Sequence, residues 1–258
     1  MQIESFEHGI PSWIDHSSPD PVKAGAFYSG VFGWDVKEGD PEFGGYTMAT
    51  KDGRNVAGIG PQQGPGPSYW GTYVNVDSAD DVAEKVKANG GTVIVEPMDV
   101  SEEGRMAVFA DPAGAVIGVW QPRRMTGAGL VNEEGTLGWN ELVTSDVGGS
   151  KAFYGAVFGW GHDSHEGGPP GGYTEWKVGG RTMGGMMAKP PGMPAEVPSY
   201  WGVYFIVSDV DATVAKAREL GGGVFLPAFD SPQGRLAGIV DPFGAIFSVI
   251  NPTGVPQQ

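Results

Sequence analysis

Hydrophobic positions along this chain switch between two spacings, and they do so in the same order four times over. Around Trp13–His16 apolar and polar residues alternate, the spacing of a half-buried strand. Asp20-Pro21 then carries a helix start, a side-chain cap followed by proline at the first helical position. Val22, Ala26, Phe27 and Val31 give that helix one apolar face, and Gly33 ends it. Strand-like runs follow at Tyr46–Thr50 and Val56–Ile59. Gly64-Pro-Gly-Pro67 interrupts the pattern, which restarts with an aromatic and β-branched strand at Tyr69–Val76. Ser78-Ala-Asp-Asp81 resembles a capping box and opens a second helix, with Val82 and Val86 on one face and Gly90-Gly91 as its stop. Strands near Val93–Val95, Met106–Ala110 and Val116–Trp120 complete the half.

The second half repeats this text. Ala26-Phe-Tyr28 and Val31-Phe-Gly-Trp34 return as Ala152-Phe-Tyr154 and Val157-Phe-Gly-Trp160, 126 residues later. Ser68-Tyr-Trp-Gly returns as Ser199-Tyr-Trp-Gly, and Asp111-Pro-Ala-Gly as Asp241-Pro-Phe-Gly, each pair reading as a hairpin turn. Helices are expected near 147–158 and 209–220, with a last strand at 246–250. The chain is one unit written twice, with domains expected at 1–125 and 126–258 and a joint near 122–136. Each half reads as a pair of βαβββ modules, so the expected fold class is α+β. Antiparallel sheets covered by helices on one face would curl into a cup on the other.

Composition narrows the function classes. With 258 residues, 40% hydrophobic and 18% charged, each half can bury a core. A formal net charge of −15 opposes nucleic acid and anionic membrane surfaces. No apolar run is long enough to span a bilayer. The amino terminus lacks the basic and apolar regions of a signal peptide, so a cytoplasmic protein is the expectation. Zero cysteines exclude disulfides, thiolate metal sites and cysteine nucleophiles.

The doubled order of the Ala-Phe-Tyr…Phe-Gly-Trp helix, the Ser-Tyr-Trp-Gly strand and the Asp-Pro-x-Gly turn resembles the vicinal oxygen chelate superfamily. That superfamily comprises glyoxalase I, bleomycin-resistance proteins and extradiol dioxygenases. The nearest likeness is to tandem two-domain members of the glyoxalase-like or hydroxylase-like type. The resemblance implies a metal held by His, Gln or Glu at four cup-facing positions per site. Here those positions hold Trp13, Gly58, Gly71 and Gly118 in the first copy, and Trp139, Gly185, Gly202 and Ser248 in the second. Neither set suits a divalent metal. The four histidines are His8, His16, His162 and His165. His162 and His165 read as loop residues with no third ligand in sight, and His16 as facing the helix or ending its strand. No metal and no cofactor are expected.

Alternation along the strands gives a wall instead. Trp13, Asp15, Tyr73, Asn75, Val116 and Trp120 should face the first cup, and Trp139, Glu141, Tyr204, Ile206, Ile246 and Ile250 the second. Trp70, Val74 and Val76, with Trp201, Phe205 and Val207, should pack under the helices. The bland reading of an aromatic stripe is core packing. Against it stand the indoles beside bare glycines, and an acid two residues past each first-strand Trp, a setting suited to a flat, partly apolar molecule. Asp15 and Glu141 could anchor a ligand or act as general acid or base, and Arg105 and Arg235 could pair with them or form structural ion pairs. The copies differ, Asn75, Gly118 and Trp120 against Ile206, Ser248 and Ile250, so different ligands or one working cup are expected.

Three readings follow. One is a metal-free protein of the bleomycin-resistance type that binds a small, partly aromatic metabolite. Another is an enzyme of the same superfamily: a glyoxalase-like lyase, an isomerase, or a hydroxylase or oxygenase. The third is a structural protein with cups filled by their own side chains. Tandem duplication suits a monomer or a homodimer.

Overall fold

The computed structural model describes residues 1–39, 41, 44–167, 169–194 and 196–253. The first half contains β1 (Pro11–Ser18), α1 (Pro21–Phe32), β2 (Asp35–Val36), β3 (Thr47–Lys51) and β4 (Arg54–Pro61). It continues with β5 (Tyr69–Asn75), α2 (Ala79–Ala88), β6 (Thr92–Val100), β7 (Gly104–Ala110) and β8 (Val116–Pro122). The second half repeats the order. It runs through β9 (Leu137–Thr144), α3 (Val147–Phe158), β10 (Gly161–His165), β11 (Tyr173–Val178) and β12 (Arg181–Ala188). Then come β13 (Tyr200–Ile206), α4 (Val210–Glu219), β14 (Gly223–Ser231), β15 (Gly234–Val240) and β16 (Ile246–Pro252).

The helix ends follow the capping chemistry. Asp20 and Asp146 accept from the backbone N–H of Lys23 and Gly149, and Gly33 and Gly159 close the same helices in the left-handed region. Ser78 accepts from Asp81 N–H at the start of α2. Each such cap contributes about 1 kcal/mol. No helix is long and apolar enough to cross a membrane.

Each half forms one eight-stranded sheet, ordered β2-β3-β4-β1-β5-β8-β7-β6 and β10-β11-β12-β9-β13-β16-β15-β14. The two modules of a half meet where β1 runs antiparallel to β5, and β9 to β13. The sheets are mixed and not wholly antiparallel, because β1 lies parallel to β4, β5 to β8, β9 to β12 and β13 to β16. In every module the last strand returns to the side of the first, and that forces the parallel pair. β2 and β10 are edge strands that the pattern did not foretell. β10 is polar and exposed at all five residues, so it offers no alternation to read.

The helices of both halves share one layer. Phe27, Tyr28 and Phe32 of α1 and nearby Trp34 pack in one buried cluster with Phe205, Val214, Ala217 and Phe247 of the second half. Phe153, Tyr154 and Phe158 of α3 and nearby Trp160 pack with Val82, Val86 and Phe109 of the first. Trp70, Val74, Val76, Trp201, Phe205 and Val207 lie in these clusters, as alternation requires.

The Asp-Pro turns cross-brace the halves. Tyr28 donates to Asp241 at 3.0 Å, and Tyr154 to Asp111 at 3.1 Å, all four buried. Trp70 and Trp201 donate to the same tyrosine oxygens. The two braces differ at one residue. His16 Nε2 lies 2.7 Å from Asp241, whereas the corresponding place in β9 is Leu142. Burial is the largest influence and pushes Asp241 up, but His16 and the backbone N–H groups of Ala245 and Phe243 together outweigh it, and the carboxyl ends below its ordinary range. Asp111, with no such neighbour, stays above that range through desolvation.

Candidate functional site

The register across β4, β1 and β5 places Gly58, Asp15 and Gly71 in one row. In the second half Gly185, Glu141 and Gly202 form the same row. One row along, Trp13 pairs with Tyr73 and Tyr73 with Gly118, matched by Trp139, Tyr204 and Ser248. Each carboxylate therefore stands between two glycines, with an indole and a phenol beside it on the same face.

One glycine of each pair is required by a residue that the sequence reading overlooked. A Cβ on Gly58 would lie 1.7 Å from the Tyr46 hydroxyl, and one on Gly185 would lie 1.8 Å from that of Tyr173. These tyrosines fill the space at two of the positions where the family pattern places metal ligands. A usable signal existed: Gly44-Gly-Tyr46 and Gly171-Gly-Tyr173 are themselves one of the repeated segments.

In the second cup the hydroxyls converge. Tyr173 donates to Glu141 Oε2 at 2.8 Å and Tyr204 to Oε1 at 2.7 Å. Trp139 donates in turn to the Tyr173 oxygen at 3.0 Å, which fixes the direction of that chain of bonds. Glu141 is buried, and desolvation pushes it above the ordinary carboxylate range although both tyrosines oppose the shift. Tyr173 and Tyr204 are themselves pushed up, by burial first and then by the charge of Glu141.

In the first cup the acid is one methylene shorter. Trp13 donates to Tyr46 at 3.0 Å, as in the second cup. Asp15 is bonded to Tyr73, and burial pushes it up to about 7. Tyr46 is itself pushed up, by burial first and then by the charge of Asp15, and the bond from Trp13 opposes that shift.

Arg105 and Arg235 do not join either acid. Arg105 binds Asp80 and Asp99, and Arg235 binds Asp211 and Asp230, in partly exposed ion pairs between the second helix and the outer strands of each half. Matching positions in the two copies reflect a repeated surface clasp. Among the described residues, no ion pair includes Asp15 or Glu141.

The cups differ in what lies over them. Asn75 donates to the Phe6 carbonyl at 2.8 Å and Trp120 to that of Met125 at 2.7 Å. Ile3 and Phe6 from the amino terminus, with Met125, Ala128 and Val131 from the joint, pack on Trp13, Trp120, Tyr73 and Met106. Trp13, Asn75 and Trp120 are consequently buried. Their counterparts Trp139, Ile206 and Ile250 are partly exposed. Ser248 is buried beside Tyr204, and the Phe225 ring crosses the neighbouring strand over Gly238. Val116 and Ile246, at the far rims, are exposed in both halves.

The donor set does not fit a metal. The four positions hold an indole and small residues, and the acid between them is engaged by tyrosine hydroxyls. Among the described residues, no group of three or more His, Asp or Glu side chains converges. His162 and His165 lie in strand β10 and not in a loop. An odd separation on a strand puts them on opposite faces, with His162 against Trp176 and His165 toward Glu175. His16 faces the helix, in the brace to Asp241.

A family model for the Glyoxalase/Bleomycin resistance protein/Dioxygenase superfamily matches residues 12–119 and again 136–249. The chain belongs to that superfamily. Among curated relatives of the superfamily member, it is 44% identical, over 98% of both chains, to "Putative glyoxylase CFP32" of Mycobacterium tuberculosis. It is 40% identical to "Anthracycline biosynthesis protein DnrV" of Streptomyces peucetius, over 95% of this chain and 94% of that one. The fold is shared with 2,2',3-trihydroxybiphenyl 1,2-dioxygenase of Sphingomonas wittichii, with a TM-score of 0.66 and 17% identity over 98% of this chain and 92% of that one. It is shared too with the Mn(II)-bound glyoxalase of Novosphingobium aromaticivorans, with a TM-score of 0.65 and 15% identity over 95% and 83%.

Proposed function

We propose that this superfamily member binds a small, partly aromatic metabolite in its second cup, without a metal. The observation that carries the reading is the set Glu141–Tyr173–Tyr204 beneath a partly exposed wall of Trp139, Ile206 and Ile250. Trp and Tyr faces contribute about 0.5–1.5 kcal/mol each to stacking beyond the area they bury. The name of the Streptomyces peucetius relative, an anthracycline biosynthesis protein, is consistent with an aromatic guest. The first cup, roofed by residues of the amino terminus and the joint, serves the fold in this reading.

The test is a screen of aromatic metabolites by thermal shift, with chelator and with added divalent metals. Stabilisation that survives chelation is expected. Stabilisation that vanishes with chelator and returns with one metal would overturn the reading.

A second reading, an enzyme of the glyoxalase-like lyase, isomerase or hydroxylase type, is favoured by the raised Glu141 and by the glyoxylase relatives. A carboxyl held above its ordinary range keeps its proton more readily than an ordinary one and can pass it to a bound substrate. Asp15, itself partly exposed, is also pushed up by desolvation, but it stands in the cup whose Trp13 and Trp120 are covered. Conversion of a bound guest, lost in Glu141→Gln and kept in Asp15→Asn, is the expected signature of that chemistry.

A further inference from the structure

We propose that the guest of the second cup is cationic, a flat molecule carrying a protonated amine or a similar nitrogen that pairs with Glu141. The inference rests on the reading of that cup as a binding site. It follows from a mismatch between hydrogen bonding and charge.

Hydrogen bonding around Glu141 is arranged for an acceptor. Trp139 N–H occupies the Tyr173 oxygen, so the Tyr173 proton points at Glu141 Oε2. Tyr204 delivers its proton to Oε1. Both carboxylate oxygens thus receive donors from groups that are themselves held in place, which is the environment of an ionised acid. Charge is not arranged in the same way. The titratable groups facing Glu141 are Tyr173 on β11 and Tyr200 and Tyr204 on β13, all neutral donors or bystanders. From β9 it has Trp139, from β12 Gly185 and from β16 Ser248. The nearest acid, Glu175 on β11, has Lys177 as its own partner, and Lys177 also binds Asp163 and Thr182. Among the described residues, no Lys, Arg or His forms an ion pair with Glu141.

A buried anion without a cation is costly. A neutral guest would add a donor where two already serve and would leave that cost in place. A cationic guest removes it. The surrounding faces suit the same guest, since Trp139 and Tyr204 can meet a cation through their ring quadrupoles. A site built for an anionic guest would present Lys or Arg here, and this one presents a carboxylate.

The probes are naphthylmethylamine and naphthylmethanol, matched in size and differing in charge, titrated by calorimetry in the presence of chelator. The amine is expected to bind at least tenfold more tightly. Its affinity should rise with pH as Glu141 ionises, while that of the alcohol stays flat. This pH arm needs no variant. Glu141→Gln keeps one acceptor oxygen for Tyr173 and turns its amide N–H toward the Tyr204 oxygen, and it should remove the preference for the amine over the alcohol. Equal binding of the two probes, or tighter binding of the alcohol, overturns the cationic guest and leaves the aromatic-binding cup standing. Binding of neither probe, nor of any ring-bearing metabolite in the wider screen, overturns both.

Discussion

The two cups are built from one text and meet different fates. Asp15 and Glu141 sit in the same row between paired glycines, beside the same indole and the same two phenols. What separates them is chain that precedes and joins the copies. Residues near Ile3 and Phe6 and near Met125–Val131 converge over Trp13 and Trp120, while the second cup keeps Trp139 and Ile250 partly exposed. In the proposed reading, duplication leaves one bowl free to serve the fold. The difference in exposure between the cups comes less from the strands that build them than from what lies on top.

The largest difference should come from the paired indoles. Trp13→Ala removes a 4% exposed side chain from a filled cluster and is expected to cost about 3–5 kcal/mol, read by denaturant unfolding. Trp139→Ala removes a partly exposed wall and should cost less than half as much, while guest affinity falls by tenfold or more. Equal stability losses would erase the distinction between a filled bowl and an open one.

A smaller, pH-dependent effect sharpens the comparison. The folded pKa of Asp15, about 7, lies above its unfolded value, so the folded state holds the proton more tightly. Such a group destabilises the fold as it ionises: the penalty is absent below about pH 4, grows up to about pH 7, and is complete above it. Asp15→Asn, which keeps an acceptor for Tyr73, should therefore gain about 1–3 kcal/mol at pH 8 and nothing at pH 4, without altering guest binding. A gain that is the same at both pH values would show that Asp15 does not carry a buried charge.

Much of this architecture is legible in the text of the chain. The caps at Asp20, Ser78, Asp146 and Asp209 and the turns at Asp111 and Asp241 are local signals, and local chemistry reads well from sequence. Alternation also fixed which face Trp13, Asp15, Trp139 and Glu141 take. Tyr46 and Tyr173 escaped because each acts at long range, over a glycine on another strand. The arginines misled for a related reason. Their repetition is real, but only the fold shows that the guanidinium points to Asp80 or Asp211, away from the cups. The roof of the first cup was invisible because Ile3, Phe6 and Met125 follow no period. Likewise the Asp-Pro turns read as hairpins, and their second task, gripping the tyrosine of the opposite half, depends on how the halves meet.

The central claim is that one open bowl takes an organic guest where metal-dependent relatives of the superfamily hold an ion. The most direct measurement is the stoichiometry of guest binding by calorimetry on chelator-treated protein, with metal content determined on the same sample. The account predicts one guest per chain, bound with less than a tenth of an equivalent of metal present and abolished by filling the second cup with Ser248→Trp. Two equivalent guests per chain, or binding that requires a stoichiometric metal ion, would contradict it.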